Sequence, residues 1–362
     1  MNTPRKWFTG LALAATGLSM ILLTAPRANA ETFNLRICAG HPPLIGYSRA
    51  AKIFFQPEVA RRVALETPHK IVWVEAYGGS VAKLAEMIDA VQNGLCDVGL
   101  VAQPFIPSKM FLYNLASYVP FSESDPVRAT LAVRRVFDEI PYFKENFAKQ
   151  YGQKYFGIGT TSAYGLGTNF AWDKFSDLKG RKLAAAGSNL IWLEGTGAVP
   201  IQQSINEAYN AISTGIFEGY LIHPGPWRNF KLSEVAKHYK LVDFGAIPFN
   251  SMTINLKRAN SLPPKVMQII EEVAREWEMV TAYLEQDDYY KAQEDIKNAG
   301  ANVTRLSEDE RKKWAIALKD VPNNKAQEAK RMGMPGPQAL KLYIKALKEL
   351  GGKLPIEYEI QD

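Results

Sequence analysis

Two His-Pro pairs, His41-Pro42 and His223-Pro224, carry the widest chemical repertoire in this chain. An imidazole can donate, accept, titrate or ligate a metal. Two imidazoles with a carboxylate could hold a transition metal. No third ligand falls at a recognisable spacing, so two separate hydrogen-bonding imidazoles are expected, with no metal and no cofactor. His69 and His238 are read as surface or core residues. Gly78-Gly79-Ser80 could cradle an anion at a helix start, but Ser80 is expected to act simply as the helix cap. The chain has no Gly-x-Ser-x-Gly elbow, His-Glu-x-x-His, Cys-x-x-Cys or phosphate-binding Gly-x-x-x-x-Gly-Lys segment. Two histidines without a positioned nucleophile or paired carboxylates point to binding rather than catalysis.

The elements that would position these residues alternate between strand and helix. Glu31–Ala39, His69–Ala76 and Cys96–Ala102 have strand patterns, separated by helix-like spacing over Ser48–Leu65 and Val81–Asn93, the latter stopped by Gly94. Strand, helix, strand, helix, strand predicts a doubly wound α/β lobe. A second such unit follows Tyr151. Strands are expected over 154–159, 166–169, 182–186 and 217–222, a helix over 204–214 that ends at Gly215, and a returning strand over 254–257. From Pro264 to Ala299 a helical pattern runs without internal proline, about 54 Å at 1.5 Å per residue, long enough to touch both lobes. The expected division is 31–153 plus 254–306 for lobe 1, 154–253 for lobe 2, 264–299 for the interlobe helix, and 307–362 for C-terminal helices packing on the lobes.

Composition bounds the function. Apolar residues make up 47% and charged residues 22% of the 362-residue chain, an ordinary globular balance. The net charge is +6, and Arg5, Lys6 and Arg27 supply three of the positive charges, which leaves too little to suggest nucleic acid or an anionic membrane surface. Those three residues sit in Met1–Ala30, where a basic start, an apolar run from Leu11 to Leu23 and Ala28-Asn29-Ala30 form a secretory leader with a cleavage site. The mature protein is therefore expected to be exported and periplasmic. Cys38 and Cys96 are the two cysteines. They stand late in one strand and just before another, near opposite ends of parallel neighbours, so they are expected to remain unpaired.

Four segments in this order resemble the periplasmic solute-binding proteins of TRAP transporters, the DctP-type family. They are VAKLAEMIDAVQNGLCDVGL (81–100), FSDLKGRKL (175–183), EAYNAISTGIFEG (207–219) and the long helical stretch 264–299. The resemblance implies two α/β lobes of mixed or parallel sheet that close on a small organic acid and hand it to membrane permease subunits. A monomer is expected. An exported sensor component presenting ligand to a receptor is the alternative, and an exported hydrolase a more distant one.

One departure bears on the ligand. The family usually carries an Arg on the strand after "LKG", where its guanidinium forks onto a ligand carboxylate. Here that position is Ala184, while Arg181 and Lys182 are expected to be solvated. Strand ends and turns should instead bring His41, Gln103, Tyr164, Trp192, Tyr209, His223, Trp227, Arg228, Phe249 and Asn250 to the cleft. Aromatic faces with single donors suit a ring-bearing or mostly apolar organic acid. Its carboxylate would be held by Arg228, Tyr164, His223 or backbone N–H groups. Glu207 is expected to cap or orient its helix, and Tyr209 could serve either purpose.

Overall fold

The computed structural model of the chain describes Met1 and residues 30–362, so the body of the expected leader lies outside the described residues. Eleven strands are described: β1 (Thr32–Ala39), β2 (Lys70–Ala76), β3 (Val98–Ala102), β4 (Gln153–Thr160), β5 (Gly165–Thr168), β6 (Lys182–Ala185), β7 (Val199–Gln202), β8 (Gly219–Ile222), β9 (His238–Leu241), β10 (Pro248–Asn255) and β11 (Asn302–Arg305). They form two sheets, ordered β2-β1-β3-β10-β4 and β11-β9-β5-β8-β6-β7. In the first sheet β1 runs parallel to β2 and β3, and β10 is antiparallel to β3 and β4. In the second, β5 is antiparallel to its neighbours β8 and β9, whereas β6 is parallel to β7 and β8. Helices cover the sheets, which explains why β3 and β10 are buried at every position and why β3 reads as a continuous apolar run.

Sheet membership differs from the expected division at three places. Residues 154–160 and 248–253, assigned from sequence to the second lobe, belong to β4 and β10 of the first sheet. Residues 302–305, assigned to the first lobe, pair with β9 of the second. An apolar strand pattern reports burial but not which sheet supplies the neighbour. The chain therefore crosses between sheets at 161–164 and 242–247. These crossovers are bonded to each other, with Thr161 N donating to Ile247 O at 2.9 Å and Tyr164 N to Gly245 O at 3.2 Å. Asp243 and Phe121 beside them adopt left-handed backbone, at φ 56° and 58°. Such conformations are uncommon outside glycine and concentrate near functional segments.

The long helix, Pro264–Asn298, is 35 residues and so about 52 Å in length. It ties the two sheets together. Glu278 is fully buried and accepts from Ile158 N of β4 at 2.9 Å, with Arg134 Nε 2.6 Å from its other oxygen. Seven residues on, Glu285 accepts from Ser162 N in the first crossover at 3.1 Å. Further along, Asp288 and Asp295 bind Arg228 of the second lobe. The C-terminal helices Glu308–Ala317, Val321–Arg331 and Gly336–Glu349 bridge the two bodies. Trp314 Nε1 donates to Trp192 O at 2.9 Å, and Tyr358 OH to Pro120 O at 2.6 Å. Among the described residues no helix is long and apolar enough to cross a membrane.

Two local expectations are corrected. Ser80 caps nothing: helix begins at Leu84, where Lys83 N donates to the Glu86 carboxylate at 2.9 Å, and left-handed Gly78 and Gly79 use the preceding residues for a turn bonded to His41 O and Ala39 O. Cys38 and Cys96 form a disulfide with Cα atoms 5.9 Å apart. The sequence reading counted positions along each strand. It missed the tight turn after left-handed Gly94, where Leu95 N and Cys96 N both donate to Ala90 O and bring Cys96 back against β1.

Candidate functional site

The first lobe contributes a box of rings. His41 leaves the end of β1, and its Nδ1 lies 2.9 Å from the hydroxyl of Tyr47, on the first turn of the helix Gly46–Ala50. Its ring stacks on Phe249 at 5.8 Å, and Phe105 meets both edge-on at 6.2 Å. Burial lowers the His41 pKa to about 3, so this imidazole is neutral at physiological pH. Asn250 stands at the cleft end of β10, beside Gly159 of β4. A Cβ at Gly159 would come within 2.2 Å of Asn250 Oδ1, so glycine is what leaves room for this amide.

The second lobe and the crossover face this box with Tyr164, Trp192 and His223. Tyr164 meets the Trp192 ring edge-on at 5.3 Å and lies 5.4 Å from the His223 ring. Trp192 stacks on Phe244 at 4.9 Å, and its Nε1 donates to Ser117 O at 2.8 Å. Burial pushes the Tyr164 hydroxyl far above its ordinary range, so it remains a neutral donor. Behind them lies a buried polar cluster. Glu285 Oε2 is 3.1 Å from His223 Nδ1 and accepts from both the backbone N–H and the hydroxyl of Ser162 at 3.1 Å. Burial alone would raise the Glu285 pKa, but the neighbouring imidazole of His223 and these hydrogen bonds outweigh it, and the net shift is downward. Glu285 also reaches the first lobe. A Cβ on Gly46 would sit 2.0 Å from its Oε1, so only glycine fits there.

The site's defining property is a set of buried polar atoms without protein partners. His41 Nε2, Tyr164 OH, Asn189 Nδ2, both amide atoms of Asn250 and Thr160 Oγ1 are all in this state. Each such group costs about 1–3 kcal/mol if left unsatisfied, so their concentration where two lobes meet marks a place for a polar ligand. The set offers donors and acceptors but no fixed positive charge: among the described residues, no lysine or arginine is bonded to any of them. Ala184 is buried in β6. Arg181 pairs with Glu218 at 2.7 Å and lies 4.2 Å over the Phe170 ring.

Of the ten residues expected at the cleft, six are brought together: His41, Tyr164, Trp192, His223, Phe249 and Asn250. Gln103 is buried nearby, but its amide is committed to Ser251 Oγ at 2.6 Å. Trp227 packs behind the second sheet over Gly167 and donates to Ser233 Oγ at 3.1 Å. Arg228 is drawn away to Asp288 and Asp295, and Tyr209 OH donates to Glu234 at 2.8 Å near the surface. Glu207 stands at the N-cap position of the helix Ala208–Ser213 but makes no side-chain cap bond there, and Ser204 caps the preceding 3-10 turn, accepting from Asn206 N at 3.3 Å. The sequence reading missed Tyr47, Phe105, Ser162, Asn189 and Glu285. A groove of about 680 Å³ opens between the lobes beside the ring box, lined by Gly40, Pro42 and Phe105 on one side and by Gln202, Ser204 and Phe230 on the other, with the exposed Lys83 and Glu207 also in its lining. A larger cavity of about 760 Å³ is lined by Phe111, Leu190 and Lys325 and includes none of the unpartnered groups.

Two sheeted lobes joined by crossovers and one long helix, with unpartnered polar atoms buried where they meet, define a protein that closes around a small solute. The chain belongs to the bacterial extracellular solute-binding proteins, family 7 (DctP), whose model matches residues 59–328. It is 22% identical over 318 residues to the C4-dicarboxylate-binding periplasmic protein DctP of Rhodobacter capsulatus, covering 78% of this chain and 92% of that one. Its fold is shared with a Bordetella bronchiseptica TRAP periplasmic solute-binding protein with bound (R)- and (S)-mandelate (TM-score 0.76, 19% identity, 88% and 99% covered). It is also shared with DctP6, a Bordetella pertussis extracytoplasmic solute receptor binding pyroglutamic acid (TM-score 0.75, 17% identity, 88% and 100% covered).

Proposed function

We propose that this chain is the periplasmic solute-binding subunit of a TRAP transporter, exported behind the leader Met1–Ala30. It captures a small ring-bearing monocarboxylic acid between its lobes and delivers it unaltered, as a monomer, to membrane permease subunits. The observation that carries the reading is the cluster of buried rings where the lobes meet, His41, Tyr47, Phe105, Trp192 and Phe249, beside unpartnered polar groups that are neutral, with Ala184 at the usual guanidinium position. Rings offer flat apolar contact, while Tyr164, Asn189 and Asn250 supply hydrogen bonds to one polar end. A second carboxylate would be buried without a cation, which is strongly unfavourable. The similar proteins with mandelate and pyroglutamate support a ligand of this size and charge.

Calorimetric titration tests the proposal. Benzoate, mandelate or pyroglutamate should bind with one-to-one stoichiometry. Succinate should bind at least about tenfold more weakly, the scale set by a lost charge-assisted hydrogen bond. Tight binding of succinate with no binding of ring acids would contradict the proposed ligand class.

A further inference from the structure

The cluster behind the ring box does more than fill space. His223 makes its hydrogen bonds through Nδ1 alone, at 3.1 Å to Glu285 Oε2 and 3.0 Å to Ser162 Oγ. Glu285 Oε2 also receives the Ser162 N–H and hydroxyl, so it is acceptor to three donors and has the pattern of an ionised carboxylate. This fixes the tautomer and the plane of the ring, placing the proton on Nδ1 and leaving Nε2 without a protein partner among the described residues. His223 lies at the end of β8 and Tyr164 in the crossover, so the ring is held at the meeting of the lobes by a residue of the long helix.

Resting on the function proposed above, we infer that Glu285 and Ser162 are positioning residues that make His223 the anion anchor of the site, and that capture of a monocarboxylate is coupled to uptake of one proton. The proton comes from solvent and adds to Nε2 as the ligand carboxylate arrives, giving an imidazolium between two carboxylates. Glu285 neutralises the charge from behind and the ligand from the front, and a second ligand charge would find no counterpart. The groups facing His223 are accounted for. His41, from the loop after β1, and Tyr164, from the crossover, are neutral, as is Tyr47 on the helix at Gly46. Asp288, one turn along the long helix from Glu285, is bonded to Arg49 and to Arg228 on the helix that follows His223. Glu285 is thus the charge left to pair with the imidazole.

The test uses the intact chain, with benzoate, mandelate and pyroglutamate titrated calorimetrically between about pH 6 and about pH 9 in buffers of different ionisation heat. Affinity should fall as pH rises, by up to about tenfold per unit where His223 must gain its proton, and the buffer dependence should report uptake of about one proton. Glu285→Gln should weaken binding at least about tenfold at neutral pH and flatten the profile. Arg228→Gln should leave the profile in place. A constant Kd across the range with no proton uptake would overturn the inference while leaving the receptor reading intact, as would a pH dependence lost in Arg228→Gln. Failure of all three acids to bind would overturn the receptor reading itself. If Glu285→Gln does not fold, the native titrations still decide.

Discussion

Replacing Trp192 by alanine should abolish measurable capture of ring acids and lower folding stability by about 3–5 kcal/mol, the range for removing a large aromatic from a packed interior. The indole is fully buried and serves three connections at once. It forms a wall against Tyr164, stacks on Phe244 at the second crossover, and donates to Ser117 O. The backbone oxygen of the same residue accepts from Trp314 of the C-terminal helices. Truncation therefore leaves a cavity beside the site, a carbonyl without its donor, and a Tyr164 ring free to turn. Trp192→Phe keeps one ring while losing the Nε1 donor and part of the indole volume, so it should retain binding and lose less, about 1–3 kcal/mol. Urea unfolding and calorimetry on the two variants would separate these effects. Equal binding by Trp192→Ala and the native chain would show that the wall does not touch the ligand.

The second large effect concerns the disulfide. Cys38 and Cys96 are separated by 58 positions. Loop-closure entropy in the unfolded chain gives about 4 kcal/mol of stabilisation for a loop of that size. An exported protein keeps such a bond oxidised, and this one anchors β1, from which His41 departs, to the turn before β3. The paired substitution Cys38→Ala/Cys96→Ala should shift the urea midpoint by a corresponding amount while leaving ligand affinity nearly unchanged, because neither sulfur reaches the site. A change below about 1 kcal/mol would mean that the unfolded state gains little freedom when the bond is lost.

The fold was largely legible in the sequence because its signals are local. Alternating and continuous apolar runs marked β1 to β6, left-handed Gly94 and Gly215 ended their helices where expected, and the uninterrupted pattern after Pro264 gave the long helix nearly to the residue. Sheet membership was not legible, since β4, β10 and β11 gain their identity from neighbours far away in the chain. The short strands β7, β9 and β11, of four residues each, were also missed, because so few residues show no clear periodicity.

The site divided in the same way. His41, Tyr164, Trp192, His223, Phe249 and Asn250 stand at strand ends or turns, where residue type and position together suggest a cleft. Trp227 and Arg228 satisfy the same criterion yet face the sheet and the long helix. Sequence position cannot give the rotation of a one-turn helix such as Pro224–Asn229. Glu285 was missed because a charged residue in a helix is ordinarily solvated. One signal was present: Glu278 and Glu285 lie seven apart among Trp277, Thr281 and Ala282, on the face that the apolar residues mark as buried. Acidic residues on an apolar helical face must have partners: Glu278 holds Ile158 of β4 together with Arg134, and Glu285 holds Ser162 of the crossover between the sheets.

In the proposed function two lobes hold a small monocarboxylic acid between them without changing it. Native mass spectrometry of the chain purified from the periplasm of its own cells, released gently and then under denaturing conditions, tests this directly. One small monocarboxylic acid per chain should be found, leaving on unfolding with its mass intact. Recovery of a dicarboxylate, of a chemically converted product, or of a bare chain that binds no small acid on subsequent titration would contradict it.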